Sequence, residues 1–158
     1  MISHVHVGIA DYDRALAFYS ALLGELGLLS RFVDRETGWA GWMTPGVARP
    51  LFLIGVPFDR KPAAAGNGQM VALLAHDRPT VDRCHALALA NGGSDEGKPG
   101  LRPHYHANYY GAYFRDPDGN KLCVCCHDPV PAAGRARGQG ERGSVIRCLD
   151  PPATTPRT

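Results

Sequence analysis

The chain has 158 residues, of which 44% are hydrophobic and 20% charged, and a formal net charge of +2. That length and composition suit one globular domain with a core of its own, and no apolar run is long enough to span a bilayer. Residues 1–127 carry twelve basic against twelve acidic side chains, and 128–158 five against three, so the folded part lacks the bulk charge that holds nucleic acid.

In chain order, polar and apolar residues alternate over Ile2–Ile9, which predicts a strand carrying His4 and His6 on one face. Asp11 then supplies an N-cap, and Ala15, Phe18, Tyr19, Leu22 and Leu23 form the stripe of a helix packed on a sheet, closed by Gly24 and Gly27. Short strands follow at Leu28–Asp34, Gly38–Met43 and Leu51–Val56, separated by turn sequences around Gly38 and Gly46. Residues 58–67, rich in Pro, Ala and Gly, read as a linker between a first unit, 1–57, and a second, 68–127.

The second unit repeats the first. A strand over Met70–Ala75 runs into Asp77, and Pro79 sits in the first turn of a helix whose buried stripe is Val81, Cys84, His85, Ala88 and Leu89. Asn91, Gly92 and Gly93 end it. A long polar loop is expected through Pro103, with only a weak return strand, before a strand near Tyr109–Arg115. The turn Asp116-Pro-Asp-Gly-Asn120 and a last strand, Lys121–His127, complete the unit. The fold class is therefore α+β, two β-α-β-β-β units with a cleft between them. Residues 128–158 are rich in Pro, Gly and Arg and read as a mostly disordered tail.

Five cysteines, three of them (Cys123, Cys125 and Cys126) on one strand, do not form a disulfide framework. With no secretory pattern at the start, a cytoplasmic location is expected.

Two β-α-β-β-β units, an Asp-capped helix after each first strand and the Asp116-Pro-Asp-Gly-Asn-Lys turn resemble the vicinal oxygen chelate superfamily. That group holds the glyoxalase I, bleomycin-resistance and extradiol-dioxygenase families. The resemblance covers residues 1 to about 127 and implies two cupped sheets facing a shared cavity, within one chain or across a homodimer. It also implies one divalent metal held by side chains from the first and last strand of each unit, acting as a Lewis acid. The matching positions here are His4, a strand from Pro50 to Pro57 without any donor side chain, Met70, and Cys123 where the family typically has Glu. One imidazole and one thiol do not make that hard-donor site. No cofactor is therefore expected, and any divalent metal would fall to His4 and Cys123.

Other residues offer different chemistry. His4, His6, Trp42, Met70, His104, Tyr105, Tyr110, Cys123 and Cys125 are the candidate ligand-binding side chains. The two tryptophans, Trp39 and Trp42, take opposite faces of their strand, one for the cavity and one for the helix side. In the loop His104-Tyr-His-Ala-Asn-Tyr-Tyr110, His106 with Tyr109 forms the candidate acid–base pair. Cys123, Cys125 and His127 share a strand face and could alternatively form a thiolate module for zinc or copper(I). The leading expectation is a glyoxalase/bleomycin-resistance-like protein that binds a small organic molecule without the family's metal. A lyase, isomerase or dioxygenase with a nonstandard site at His4 and Cys123 is the catalytic rival. Neither nucleic acid nor membrane is an expected partner.

Overall fold

The computed structural model describes residues 2–130. The expectation for the tail falls, from residue 131 on, outside the described residues.

The first unit is β1 (His4–Gly8), α1 (Tyr12–Glu25), β2 (Leu29–Asp34), β3 (Trp39–Met43) and β4 (Leu51–Gly55). The second is β5 (Val71–Leu74), α2 (Arg78–Ala90), β6 (Ser94–Leu101), β7 (Tyr110–Arg115) and β8 (Lys121–Cys126). Each unit makes one four-stranded mixed sheet, ordered β1-β4-β3-β2 in the first and β5-β8-β7-β6 in the second. β1 runs parallel to β4, and β5 parallel to β8; the remaining pairs are antiparallel. Each parallel pair is joined through a crossover that contains a helix, as parallel neighbours require.

Both helices begin as the sequence predicts. Asp11 accepts from the Arg14 N–H at 3.0 Å and Asp77 from the Thr80 N–H at 2.8 Å, each satisfying one orphan donor of a first turn. The expected stripe of α1 is buried throughout, and so is that of α2 apart from Leu89, which is exposed. The core lies between each helix and its sheet and runs on from one unit to the other. α1 packs on α2, and Phe18 meets Phe114 edge-on at 6.4 Å between ring centroids. Gly93 permits that approach, because a Cβ there would stand 2.6 Å from the Arg115 carbonyl oxygen and 3.0 Å from the Phe18 ring.

A second joint is polar. Asp116, 3% exposed, accepts from the Tyr19 hydroxyl of α1 at 2.7 Å and from Asn120 Nδ2 at 2.8 Å. Asn120 Nδ2 also reaches the Gly8 carbonyl at 3.0 Å, and Asp118 accepts from the Ala10 N–H at 3.3 Å and from Arg14 at 2.7 Å. The Asp-Pro-Asp-Gly turn thus ties the end of the second sheet to the start of the first helix.

Ser94–Leu101 corrects the expectation of a loop. It is an eight-residue strand at the sheet edge, with register shifts between Asp95 and Gly97 and between Gly97 and Gly100. Pro99 removes a donor and the two glycines remove packing side chains, which hides the strand in the sequence. All three are tolerated because the edge asks for pairing on one side only.

Candidate functional site on the helix-free sheet faces

Strand alternation sorts every side chain to the helix side or to the opposite face. In β1, Val7 belongs to the core and Val5 packs against it, which sends His4 and His6 to the helix-free face. In β4, Phe52 and Ile54 are core, so Leu51, Leu53 and Gly55 lie opposite. The register pairs His4 with Leu51 and His6 with Leu53. In β3, Ala40 and Trp42 are core, which leaves Trp39, Gly41 and Met43 on the helix-free face.

Trp42 is therefore a correction. It is 2% exposed and packs beside Tyr19 at 6.5 Å between rings, on the helix side. Trp39 is the tryptophan on the helix-free face: its ring lies 4.5 Å from that of His6 and fills the space over Gly55, where a Cβ would come within 2.8 Å of the indole. Only glycine at 55 lets the tryptophan lie flat. Desolvation beside these neighbours, followed by repulsion from His4, lowers the pKa of His6. Its imidazole is thus held in the neutral form, able to donate and accept.

The second sheet repeats the sorting. Leu122, Val124 and Cys126 of β8 join the core, and Cys123 and Cys125 face the other way. On β7, Ala112 and Phe114 are core, whereas Gly111 and Tyr113 lie on the helix-free face. Tyr110 is a further correction. Its hydroxyl donates to Asp82 of α2 at 2.7 Å and Arg78 stacks 5.4 Å from its ring, so it serves the helix side.

The loop before β7 folds back over the helix-free face. Tyr109 contacts Cys123 Sγ through its hydroxyl at 3.5 Å, and the Tyr113 hydroxyl lies 3.4 Å from that of Tyr109. Burial first, then these hydrogen bonds, pushes the Tyr109 phenol far above its ordinary range, so it stays protonated and cannot act as a base. His106 Nε2 meets His127 Nδ1 at 2.8 Å with the rings stacked. His104 and Tyr105 pack with their rings tilted at 48° and 4.3 Å between centroids, with Tyr105 61% exposed. His127 was expected only as a soft ligand beside Cys123 and Cys125, and Tyr113 was not among the expected site residues. The signal for both is parity: His127 stands two positions beyond Cys125, and Tyr113 four beyond Tyr109.

Between the units lies a cleft of about 130 Å³ that His6, Gly8, Gln69, Met70, Asn120 and Lys121 line. It opens beside a depression of about 520 Å³ that shares Gln69, Met70 and Lys121 and adds Arg115. The structure thus brings His6 and Met70 to one cleft. Neither His4 nor Cys123 lines it, and Cys123 is fully buried.

The residues present do not fit the divalent ion that the fold family implies. The β4 corner offers Leu51 and Leu53, the β5 corner Met70, and Cys123 is a thiol whose pKa is raised by its hydrogen bond to Cys125 and by burial. Among the described residues no three or more His, Cys, Asp or Glu side chains are grouped to hold a metal. Nor is any helix among them long and apolar enough to cross a membrane.

Two sheets of equivalent order, β1-β4-β3-β2 and β5-β8-β7-β6, each backed by the helix of its own unit, define the paired β-α-β-β-β class of protein. The family model of the Glyoxalase/Bleomycin resistance protein/Dioxygenase superfamily matches residues 1–124. The chain belongs to that superfamily. It is similar to the crystal structure of a glyoxalase/bleomycin resistance protein from Albidiferax ferrireducens T118 at 37% identity. That match covers 80% of this chain and 98% of the other, with a TM-score of 0.72. A glyoxalase-related enzyme from Fulvimarina pelagi is 19% identical over 85% of this chain and 95% of its own, with a TM-score of 0.63. A lactoylglutathione lyase from Agrobacterium tumefaciens is 22% identical over 80% and 92%, with a TM-score of 0.55. These last two share the fold. No curated protein matches the sequence.

Proposed function

We propose that this chain binds a small organic molecule on its helix-free sheet faces, in a site completed by a second copy of the chain, without the family's divalent metal. One observation carries the reading: the corner strand β4 presents Leu51, Leu53 and Gly55 in register with His4, His6 and Gly8, a surface suited to an apolar ring rather than an ion. Trp39 and neutral His6 supply a flat aromatic wall with one donor and one acceptor. Leu29, Phe32 and Met70 are exposed large apolar side chains, as is Leu74 on the second sheet. Burying such side chains against a second copy would stabilise a homodimer. The relative from Albidiferax ferrireducens is a glyoxalase/bleomycin resistance protein; the donor set here favours sequestration over metal-assisted catalysis. The cysteines among the described residues are all free, which suits a reducing cytoplasm.

The two tryptophans give the test. A library of planar aromatic and oxygenated fragments is titrated against Trp42→Phe, in which Trp39 alone emits, and against Trp39→Phe. A saturable change in the Trp42→Phe protein that is lost in Trp39→Phe supports the reading. A response that persists in Trp39→Phe contradicts it.

A further inference from the structure

The histidine and cysteine cluster at the end of β8 has a directionality that the binding reading does not use. Cys125 and His127 leave the strand on one face, and Cys125 Sγ lies 3.6 Å from His127 Nε2. The other nitrogen of that ring, Nδ1, meets His106 Nε2 at 2.8 Å. His106 Nδ1 in turn accepts the backbone N–H of Asn108 at 3.2 Å.

For neutral rings this network fixes the tautomers. His106 accepts at Nδ1, so its hydrogen sits on Nε2 and is donated to His127 Nδ1. His127 must then carry its own hydrogen on Nε2, aimed at the Cys125 sulfur. The relay gives a hydrogen bond to the sulfur and takes none from it, an arrangement that favours thiolate over thiol. It is not a chelate, because the two His127 nitrogens face different partners.

The neighbours reinforce it. Cys123, wholly buried, keeps its proton and hydrogen-bonds toward Cys125; with help from Tyr109 and His127 it draws the Cys125 thiol below its ordinary range. Burial pushes Cys84, in the helix-side core, up to about 12. Of the two helix-free cysteines, Cys125 alone retains some exposure, 5%. From the same position the thiol form can donate to the Leu73 carbonyl at 3.8 Å.

We propose that Cys125 is a nucleophilic centre for small soft electrophiles, with neutral α,β-unsaturated carbonyl compounds as the class. The sulfur is soft, the Tyr109 and His127 rings beside it form flat walls, and the cations beside Tyr113 on this sheet face already have partners: Arg115 and Lys121 are engaged by Glu96 at 2.6 and 3.4 Å, and Arg102 by the Lys98 carbonyl at 2.7 Å. In the addition a bond forms between Sγ and the β-carbon, and the π pair shifts toward the carbonyl oxygen. The α-carbon then takes a proton from solvent, replacing the one the thiol released to solvent. The net change is S–H across C=C, with no oxidant or reductant. This site stands apart from the Trp39 surface and does not depend on it.

The test uses the full chain with Cys148→Ser throughout, but-3-en-2-one as probe, and intact mass with peptide mapping at constant pH. Cys125 is expected to be modified first, more than about tenfold ahead of Cys84, and Cys125→Ser abolishes the early adduct. His127→Ala uncovers the sulfur while removing its donor. Access alone would make that variant react faster, whereas the relay makes it slower by about threefold or more. A first adduct at another cysteine, or a His127→Ala rate equal to or above that of the parent, overturns the proposal.

Discussion

Replacing Asp116 by Ala removes the buried acceptor that joins the two units. Its carboxylate takes hydrogen bonds from the Tyr19 hydroxyl at 2.7 Å, Asn120 Nδ2 and the Asn120 N–H at 2.8 Å each, and the Asp118 N–H at 3.0 Å. The Asp118 and Asn120 donors lie in a partly buried turn and can regain water. Tyr19 is fully buried and cannot. An orphaned buried hydroxyl costs about 1–3 kcal/mol, and the lost turn bonds add about 1 kcal/mol more. The expected total is about 3 kcal/mol, a large share of a stability of roughly 5–15 kcal/mol, and it should lower Tm by about 10 °C. Tyr19→Phe, which removes donor and orphan together, should cost only about 1.5 kcal/mol. In the double variant the hydroxyl no longer needs a partner, so the two losses should fall short of additive by about 1 kcal/mol or more. Urea unfolding of the four proteins at one pH measures this, with an unchanged m-value as the check that the unfolded state is the same. Strict additivity, or a loss under about 0.5 kcal/mol for Asp116→Ala, would refute the joint.

Three further outcomes follow from the geometry. Gly55→Ala places a methyl 2.8 Å from the Trp39 indole, so the ring must leave the sheet; a loss of about 1–3 kcal/mol and a shifted Trp39 emission are expected. Gly93→Ala drives a Cβ to 2.6 Å from the Arg115 carbonyl and 2.8 Å from that of Ala88, neither of them a flexible side chain. It should destabilise more than Gly55→Ala in the same urea assay. His6 has a folded-state pKa below its ordinary 6.5, so the unfolded chain binds the extra proton first. Its contribution is therefore present above about pH 6.5 and lost as pH falls through the folded value. His6→Gln should flatten the decline in stability between pH 7.5 and 5, and an identical decline in both proteins would show that His6 does not titrate in this way.

Much of this fold is legible in the sequence because its repeat is short-range. Ala15, Phe18, Tyr19, Leu22 and Leu23 announce the buried side of α1 at helical spacing, and Asp11 and Asp77 announce the caps. What hides is set by partners far along the chain. Ser94–Leu101 reads as a loop because Gly97, Pro99 and Gly100 are poor strand formers, yet the edge position beside β7 accepts them. Alternation puts tryptophans 39 and 42 on opposite faces without saying which face is which; Gly55 of β4 lies opposite Trp39, which only the pairing register reveals. Tyr110 likewise turns to the helix because Asp82, 28 residues earlier, waits there. The soft donors at the end of β8 are visible as types in the sequence. Their order as a one-way relay depends on the His104–Tyr110 loop folding back so that His106 meets His127.

The most direct test is elemental analysis of the full chain, purified without chelator or metal-affinity steps, alongside His4→Ala. The account predicts far less than one equivalent of nickel, manganese, iron or zinc per chain, and fragment binding at Trp39 that EDTA leaves unchanged. One equivalent of a divalent ion in the parent, lost from His4→Ala, would contradict it.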